Sequence, residues 1–356
     1  MKMGYSSIEN VHVAKVLFPL LDYCTDISVP NRADNLLEDG LRLWLVVLVS
    51  SRLSTMGQSL TSMIPRLSDI IRSGLEPQLS LKVLQFNALL LGRQVVEPHA
   101  TLLSDLLVNL TSFIYSDQAE GNDNTMDGRS SDKTTGPDRS STTERNCIAA
   151  LNFSEGIMQL FPDIGLTICA PVLSKIIASL PDDKVRVPPS GMEAIFVAFS
   201  RMLWLSPTCL DEIFGNDPKA DEKISMICSE HVTVVSSVSI IVMMSIKAQK
   251  IMFINQKKAM LSLCSAICRS PRVARVSGHE ILNFTRRLLE VESKSEGELD
   301  LDALIEASCG TTRRVVGDGP LGDTKERTSE ILKVDPLLTV SLNEALANAE
   351  KAVASV

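Results

Sequence analysis

Residue types that perform catalysis or bind metals occur in this sequence, but they lack the neighbours that such chemistry requires. Cys264 and Cys268, four residues apart on one predicted helix, could form half of a metal site with His279, yet no second pair at zinc spacing follows. The histidines have no carboxylate or cysteine at ligand spacing, which favours packed or surface positions: His12, His99, His231 and His279. We therefore expect core packing for the two cysteines and no bound metal.

Motifs of nucleotide-binding and hydrolytic enzymes are also missing from the sequence. The glycines of GDGPLGD (317–323) are followed neither by lysine nor by a strand and helix, so they do not form a phosphate-binding loop. Neither G-x-S-x-G nor H-E-x-x-H occurs. Carboxylate pairs at 182–183 and 211–212 fall at predicted helix ends, where the helix dipole or solvent accounts for them. The sequence predicts a protein that is not an enzyme and uses no cofactor, although missing motifs are weak evidence against an unrecognised site.

Composition indicates an all-α protein with an acidic surface. The 356 residues are 45% hydrophobic but only 4% aromatic, and the dominant Leu, Ile, Val, Ala and Met suit packed helices. The formal net charge of −8 argues against nucleic acid, because no stripe of Lys and Arg is available for phosphates. The eight cysteines are dispersed among apolar residues, as expected for buried thiols in a reducing compartment.

Neither a secretory signal nor a membrane span is predicted. The first fifteen residues contain no apolar segment followed by a cleavage site. The apolar run from Val232 to Ile246 is 15 residues long, whereas a membrane-spanning helix needs about 20. We therefore predict one buried helix there and no membrane insertion.

Apolar residues recur at helical spacing almost everywhere outside two polar tracts. Between residues 33 and 53 they form one face of an amphipathic helix: Leu36, Leu37, Leu41, Trp44, Val47 and Leu48. Further predicted helices follow in pairs, and equivalent points in successive pairs are Trp44, Leu90, Leu160 and Trp204. Without the first polar tract these points recur every 43 to 46 residues or so, within the range of HEAT and armadillo repeats.

The predicted fold is therefore all-α, a HEAT/armadillo-type α-solenoid forming a right-handed superhelix of antiparallel helix pairs. One such pair cannot bury its own apolar face and must stack on its neighbours. HEAT repeats are expected over residues 1–116 and 144–292. The tract 117–143 has too few apolar residues to offset the entropy of ordering, so we predict a disordered insert, with a phosphorylated or partner-binding loop as the alternative. Residues 293–333, acidic and then glycine-rich, are predicted to form a flexible linker.

The segment 334–356 follows that linker with an apolar motif and a helix-forming sequence. An apolar motif on a flexible tether is most simply an element that docks back on the solenoid, over a groove or the end of the stack. The candidate docking residues are Asp335, Pro336, Leu338, Thr339, Val340 and Leu342. Ser341 and Glu344 have the spacing of a capping box for the last helix. The alternative is a frayed, partly helical tail.

An acidic cluster at the start of the linker is the main charge feature. Four of its residues are candidate contacts for a basic partner, such as a cargo tail: Glu296, Glu298, Asp300 and Asp302. Such contacts would raise the association rate more than the affinity. The interpretation we favour is that these charges keep the linker solvated.

Four stretches of this sequence resemble the C-terminal third of the importin-β (karyopherin-β) superfamily, and in particular its importin-eleven-like branch. They are LRLWLVVL (41–48), SRMLWLS (200–206), QKKAMLSLCSAI (256–267) and, most specifically, KVDPLLTVSL (333–342). In that branch a D-P-x-x-T-V-S-L motif and a short helix follow an acidic linker. The resemblance extends in order and spacing over nearly the whole chain.

The resemblance implies a nuclear transport receptor in the cytoplasm and nucleus and at the nuclear pore. Such receptors bind protein cargo on the inner surface of a HEAT solenoid, contact nucleoporins and are switched by the GTPase Ran. Their N-terminal Ran-binding repeats have no counterpart here, so we expect either a fragment or a short paralogue that does not bind Ran in the family manner. The alternative function is a HEAT-repeat scaffold for complex assembly or trafficking, without a transport role.

Overall fold

The computed structural model describes residues 11–50, 53–114, 139–182, 185, 187–237, 246–292 and 323–356. Within these ranges the regular secondary structure is entirely helical, as the periodicity predicts. The helices before the first long gap are α1 (Val11–Cys24), α2 (Pro30–Ser50), α3 (Leu53–Ser62), α4 (Ile64–Ser73), α5 (Pro77–Leu91) and α6 (Ala100–Thr111), with three short 3-10 turns beside α6.

The remaining helices form two groups, one before and one after the second long gap. The first group is α7 (Arg139–Leu160), α8 (Pro162–Ser179), α9 (Pro189–Leu205), α10 (Cys209–Phe214), α11 (Ala220–Ser237), α12 (Ile246–Arg269) and α13 (Pro271–Glu292). The second group is α14 (Asp323–Val334), α15 (Pro336–Thr339) and α16 (Leu342–Ala354).

Most of these helices lie in two layers that run in chain order, which is the arrangement of an α-solenoid. In layer A each helix contacts the next in the series α2, α5, α7, α9 and α12. In layer B the series is α4, α6, α8, α10, α11 and α13. Trp44, Leu90, Leu160 and Trp204 fall in the first four helices of layer A, so the predicted repeat points do occupy equivalent places.

The core is a continuous apolar seam between the two layers. Its largest fully buried side chains include Trp44, Phe153, Phe196 and Phe199, which lie on helices of layer A. Each helix pair therefore shields its apolar face with its neighbours, as stacked repeats require.

Proline divides one helix that the apolar pattern joined. The periodicity between residues 58 and 75 predicts one helix, but the structure has α3 and α4 with Met63 between them and Pro65 in the first turn of α4. Proline has no N–H to donate and its ring collides with the carbonyl one turn earlier, so it is favoured in the first turn of a helix over the interior. Gly74 ends α4 with φ 70°, the left-handed conformation that glycine adopts without strain.

The single buried helix predicted from Val232 to Ile246 lies mostly outside the described residues and stays a prediction. Residues 232–237 are the last turns of α11, and Ile246 is the first residue of α12. Residues 238–245 lie outside the described part of the chain. Among the described residues, α8 has the length and apolar composition of a membrane span, a test that core helices also pass. Its Ile168, Leu173 and Ile177 are fully buried within the protein.

Both predicted polar tracts are shorter in the structure than in the sequence interpretation. Residues 117–138 of the insert lie outside the described ranges, but 139–143 already belong to α7. Residues 293–322 of the linker lie outside as well, whereas 323–333 form most of α14. The assignment of 323–333 to a linker is therefore wrong, since Thr324, Thr328 and Leu332 of this helix are buried.

The outer face of α1 exposes apolar side chains at the start of the array. Val16, Leu20 and Tyr23, spaced by four and three residues, are 71%, 47% and 50% exposed.

Five of the seven described cysteines are buried free thiols, whereas Cys268 is exposed and Cys24 is half-buried. Core packing, expected for both Cys264 and Cys268, therefore holds for Cys264 and not for Cys268.

Candidate binding surface

The C-terminal residues form a strap along layer A. We call residues 323–342 the strap; they comprise α14, α15 and the first residue of α16. Helix α14 contacts α2 and α5, Asp335 bonds to side chains of α7 and α9, and α15 contacts α12. Helix α16 then packs on α12 and α13. The strap thus follows the array from its first layer A helix to its last.

Helix α14 is held by polar contacts to the ends of two other helices. The Thr324 hydroxyl donates to the carbonyl of Leu48 at 2.7 Å, near the end of α2. The Arg327 guanidinium donates to the carbonyls of Leu89 and Leu90 at 3.2 and 2.6 Å, in the last turn of α5. The last carbonyls of a helix have no intrahelical donor and carry the negative end of its dipole, so a hydroxyl and a cation both suit them.

Asp335, between α14 and α15, is the most strongly bonded residue of the strap. Its carboxylate accepts from both terminal nitrogens of Arg201, each at 2.6 Å, in a paired geometry. It also accepts from the Gln159 amide at 2.6 Å and from the backbone N–H of Leu337 at 3.1 Å. The Asp335 and Arg201 side chains are only 1% and 3% exposed. Asp335 therefore serves both as the N-cap of α15 and as a buried ionic anchor.

The anchor continues into a network with zero net charge. Arg201 also donates to Glu155 at 3.1 Å, and the Lys258 ammonium donates to the same carboxylate oxygen at 2.9 Å. Burial alone would raise the pKa of Glu155, but Lys258 and then Arg201 outweigh it and lower that pKa to about 2. Burial likewise opposes ionisation of Asp335, yet the hydrogen bonds and charge of Arg201 hold its pKa below the usual value. Both carboxylates are therefore ionised at neutral pH.

Apolar contacts surround this ionic anchor. Leu337, Leu338 and Leu342 are nearly fully buried, and the Lys257 ammonium donates to the Leu338 carbonyl at 3.1 Å. Of the other candidate docking residues, Pro336 and Thr339 are exposed and Val340 is half-buried. The Thr339 hydroxyl donates to the carbonyl of Asp335 at 2.9 Å, within the turn itself. Contact with the solenoid is thus made mainly by Asp335 and three leucines, with Val340 packed partly against the core.

The last helix begins where the capping-box spacing places it, but without that hydrogen bond. Ser341 is the N-cap of α16, yet its side chain makes no capping bond, and Glu344 is exposed. Close packing holds the helix instead. A Cβ atom on Gly278 of α13 would lie 2.6 Å from a methyl carbon of Val353, so glycine allows the end of α16 to approach.

An open cleft of about 630 Å³ lies beside α14 on layer A. Helices α5, α7, α9, α12 and α14 contribute to its walls, and five of the lining side chains are amides: Gln78, Gln85, Asn152, Gln159 and Asn255. Apolar residues lie between them, among them Phe86, Phe153, Leu160, Ile331 and Leu332. An amide both donates and accepts, as a peptide backbone does. The lining therefore suits an extended polypeptide with apolar side chains.

The sequence did not identify the partners of the predicted docking residues. Arg201, Gln159 and Lys257 provide the anchor, and one available signal was Arg201 itself, a charge within the apolar helix SRMLWLS. Glu296, Glu298, Asp300 and Asp302 lie outside the described residues. The role of these four acidic residues stays a prediction.

His231 of α11 is a further buried ionisable group among the described residues. Its ring stacks on Phe196 with 4.7 Å between centroids, and Nε2 lies 3.0 Å from the Ser200 hydroxyl oxygen. Burial lowers the pKa of His231 to about 3. His279 is exposed, and the described residues contain no group of three or more His, Cys, Asp and Glu that could hold a metal.

The comparisons with known proteins gave a family match over the N-terminal part of the chain. Residues 6–127 match a family model described as "Importin-11-like, TPR repeats". This match supports the importin-β superfamily and its importin-11-like branch, and the importin-like family comprises transport receptors rather than enzymes. TPR and HEAT repeats are both stacked helix pairs, with periods of about 34 and 40 to 47 residues. No curated protein and no solved structure matches the chain.

Proposed function

We propose that this chain is the cargo-binding part of a nuclear transport receptor that acts in Ran-regulated protein import, since residues 6–127 match the importin-11-like family model. The observation that carries the proposal is the cleft on layer A, bounded by four helices of the solenoid and by the strap. The proposed activity is non-covalent: a segment of a protein cargo binds in the cleft, and the receptor carries it through the pore.

The chemistry of the cleft supports a polypeptide rather than a small metabolite or nucleic acid. Its charged lining residues are Lys82, Glu155, Glu193 and Lys258, two of each sign, so it has no excess of positive charge for phosphates. Amide side chains on α5, α7 and α12 can bond to the carbonyls and N–H groups of an extended backbone. Apolar residues between the amides provide contacts for cargo side chains.

Regulation and location are part of the same proposal. Ran-GTP would release cargo by changing the pitch of the array, acting through repeats other than those of this chain, and nucleoporins would bind the receptor during passage. The receptor would shuttle between cytoplasm and nucleus. A ligand can shift the shape of the array only by binding one shape more tightly, so cargo and Ran-GTP must prefer different pitches.

Site-specific photo-crosslinking in cells tests the proposal directly. A photoreactive amino acid replaces Asn152, which is exposed in the cleft, and in a matched control it replaces Asp105, exposed on α6 of layer B. We expect protein adducts at position 152 well above those at 105, and loss of nuclear accumulation of those proteins when the chain is depleted.

Two results would contradict the proposal. Equal adducts at the two positions would show that the cleft is not a cargo site. Adducts confined to position 152, on proteins whose nuclear level does not change after depletion, would indicate the scaffold function instead.

A further inference from the structure

The seat of the strap on layer A has the properties of a recognition site for one short sequence pattern. We propose that this seat, formed by Arg201, Gln159 and Lys257, is a binding site for a protein segment bearing an aspartate followed by a leucine-rich helical turn. The strap occupies the site in cis and competes with such a partner. The inference rests on the proposed function in placing the partner on layer A.

The seat recognises a pattern rather than apolar surface in general. Arg201 and Gln159 together require a carboxylate, because three short hydrogen bonds converge on Asp335. Lys257 requires a carbonyl three residues later, that of Leu338, which a helical turn places correctly. The two buried leucines of the same turn supply the apolar contacts. Another chain with this spacing of groups presents the same contacts.

Part of the strap can leave without loss of the last helix. Val340 and Ser341 have extended backbones with ψ angles of 138° and 125°, and they separate α15 from α16. Helix α16 has its own contacts with α12 and α13, including the Arg286–Glu350 ion pair at 2.7 Å. The fully buried apolar residues of 323–340 are Leu332, Leu337 and Leu338, and Val340 is half-buried. The exchangeable unit is therefore 323–340, with α16 remaining in place.

The cleft gives an incoming segment a place to bind before the strap is displaced. Gln159 lines the cleft and also bonds to Asp335, and Leu332 of α14 forms one wall. Arg201 also donates to Glu155 at 3.1 Å, so it keeps one carboxylate partner while Asp335 leaves. Exchange can therefore proceed without leaving the buried cation unpaired.

Competition in cis explains how such a site can be specific and yet closed by default. Thirty residues, 293–322, connect α13 to α14, so the strap always lies close to its seat. A tethered segment competes at an effective concentration of roughly millimolar order. A free partner displaces the strap only if its concentration divided by its dissociation constant exceeds the same ratio for the strap. Additional contacts in the cleft would lower that dissociation constant.

A labelled peptide with the sequence of residues 323–342 is the probe, titrated against the full chain by fluorescence anisotropy. Wild type should bind the probe weakly. The variant Asp335→Asn, whose own strap has lost its ionic anchor, should bind it about tenfold more tightly or better. A control peptide in which the aspartate equivalent to Asp335 is asparagine should bind neither chain, and this control does not depend on folding of a variant.

Three outcomes would overturn the inference. Equal affinity of the probe for wild type and Asp335→Asn would show that the strap does not compete. Equal binding of the aspartate and asparagine peptides would show that Arg201 does not select the carboxylate. A dimer of the chain, disrupted by the probe, would show that a second copy of the chain fills the seat.

Photo-crosslinking separates this inference from the proposed function. Cargo adducts at position 152 should increase when Asp335→Asn is added. If the adducts occur but do not increase, cargo binds in the cleft without competition from the strap. If adducts at 152 never exceed those at 105 while the peptide still exchanges, the seat exists but does not serve cargo.

Discussion

Arg201 and Asp335, 134 residues apart, join the middle of the solenoid to the strap through two buried hydrogen bonds of 2.6 Å. Each charge has been removed from water. Arg201 is compensated by Asp335 and Glu155, and Asp335 accepts from Arg201, from Gln159 and from the backbone N–H of Leu337. The pair therefore selects one docked position of the strap, because a misplaced strap leaves a buried charge unpaired. Its effect on the docked position is larger than its net contribution to the free energy of unfolding.

Loss of one partner of this pair should destabilise the protein more than loss of both. For Asp335→Asn we expect the free energy of unfolding to fall by about 3 kcal/mol, the lower end of the range for a broken buried pair, because Glu155 still faces Arg201. The double variant Arg201→Met with Asp335→Leu should recover most of that loss. Urea unfolding of wild type, Arg201→Met, Asp335→Leu and the double variant closes a cycle that measures the coupling; additive effects would contradict it.

Acid should weaken the anchor in a defined pH window. Because the pKa of Glu155 is lowered from 4.5 to about 2 in the folded protein, its contribution is complete above pH 4.5 and is lost as the pH falls towards 2. In that window each pH unit should cost about 1.4 kcal/mol. Urea unfolding between pH 5 and 3 checks this, with Glu155→Gln as the control. An unchanged slope in the variant would show that another carboxylate is responsible.

Protonation of His231 should destabilise the fold at a higher pH than protonation of Glu155 does. The Ser200 hydroxyl already donates to the Phe196 carbonyl at 2.7 Å, so Nε2 of His231 must donate to Ser200 and Nδ1 carries the lone pair. Protonated Nδ1 would be a buried donor without an acceptor among the described residues. With the pKa lowered from 6.5 to about 3, stability should decrease from pH 6.5 downwards by about 1.4 kcal/mol per pH unit.

Replacement of His231 by phenylalanine isolates this effect. The ring stack on Phe196 is kept while the titrating nitrogen is removed, so the stability of His231→Phe should be nearly constant between pH 6.5 and 5. Thermal unfolding of both proteins at several pH values in that interval gives the comparison. A parallel decline in both would assign the pH dependence to other groups.

Two helical glycines should differ in their response to alanine. A Cβ on Gly165 would lie 2.5 Å from Cα and 2.7 Å from N of Met158, which are backbone atoms where α8 crosses α7. Gly165→Ala should therefore cost about 1–3 kcal/mol, and no side-chain change can relieve it. At Gly278 the nearest atoms belong to Val353, so Gly278→Ala should cost less and be rescued by Val353→Ala. Chemical unfolding of these variants ranks the two sites, and equal costs would contradict the prediction.

The spacing of apolar residues was sufficient to predict the solenoid, because each repeat is specified by residues that are close together in the sequence. Leu36 to Leu48 and the later apolar faces predicted the layer A helices, and Gly74 ended α4 as expected. Local spacing could not show that α14 is ordered, because only Thr324, Thr328 and Leu332 of its residues are buried. Its anchors are a hydroxyl and a guanidinium on helix-end carbonyls, contacts that leave no apolar signature in the sequence.

The binding surface was harder to predict than the docking motif. Asp335 and its leucines stood out as an apolar motif after a polar tract, but their partners lie on helices far away in sequence. The Asp335–Arg201 pair spans 134 residues and the Asp335–Gln159 pair 176, distances at which one sequence gives no pairing information. The five cleft amides belong to helices whose buried faces alone were visible in the apolar pattern.

The bond from Thr324 to the Leu48 carbonyl crosses 276 positions. Repeat arrays ordinarily fold through contacts between neighbours, which keeps the search for native contacts short. Here α2 acquires the Thr324 donor only after a further 276 residues have been synthesised. Nascent chains that stop before residue 323 should therefore carry an α2 whose end is open to water and to chaperones. Docking of α14 should then link α2 and α5 with the C-terminal helices into one cooperative unfolding unit.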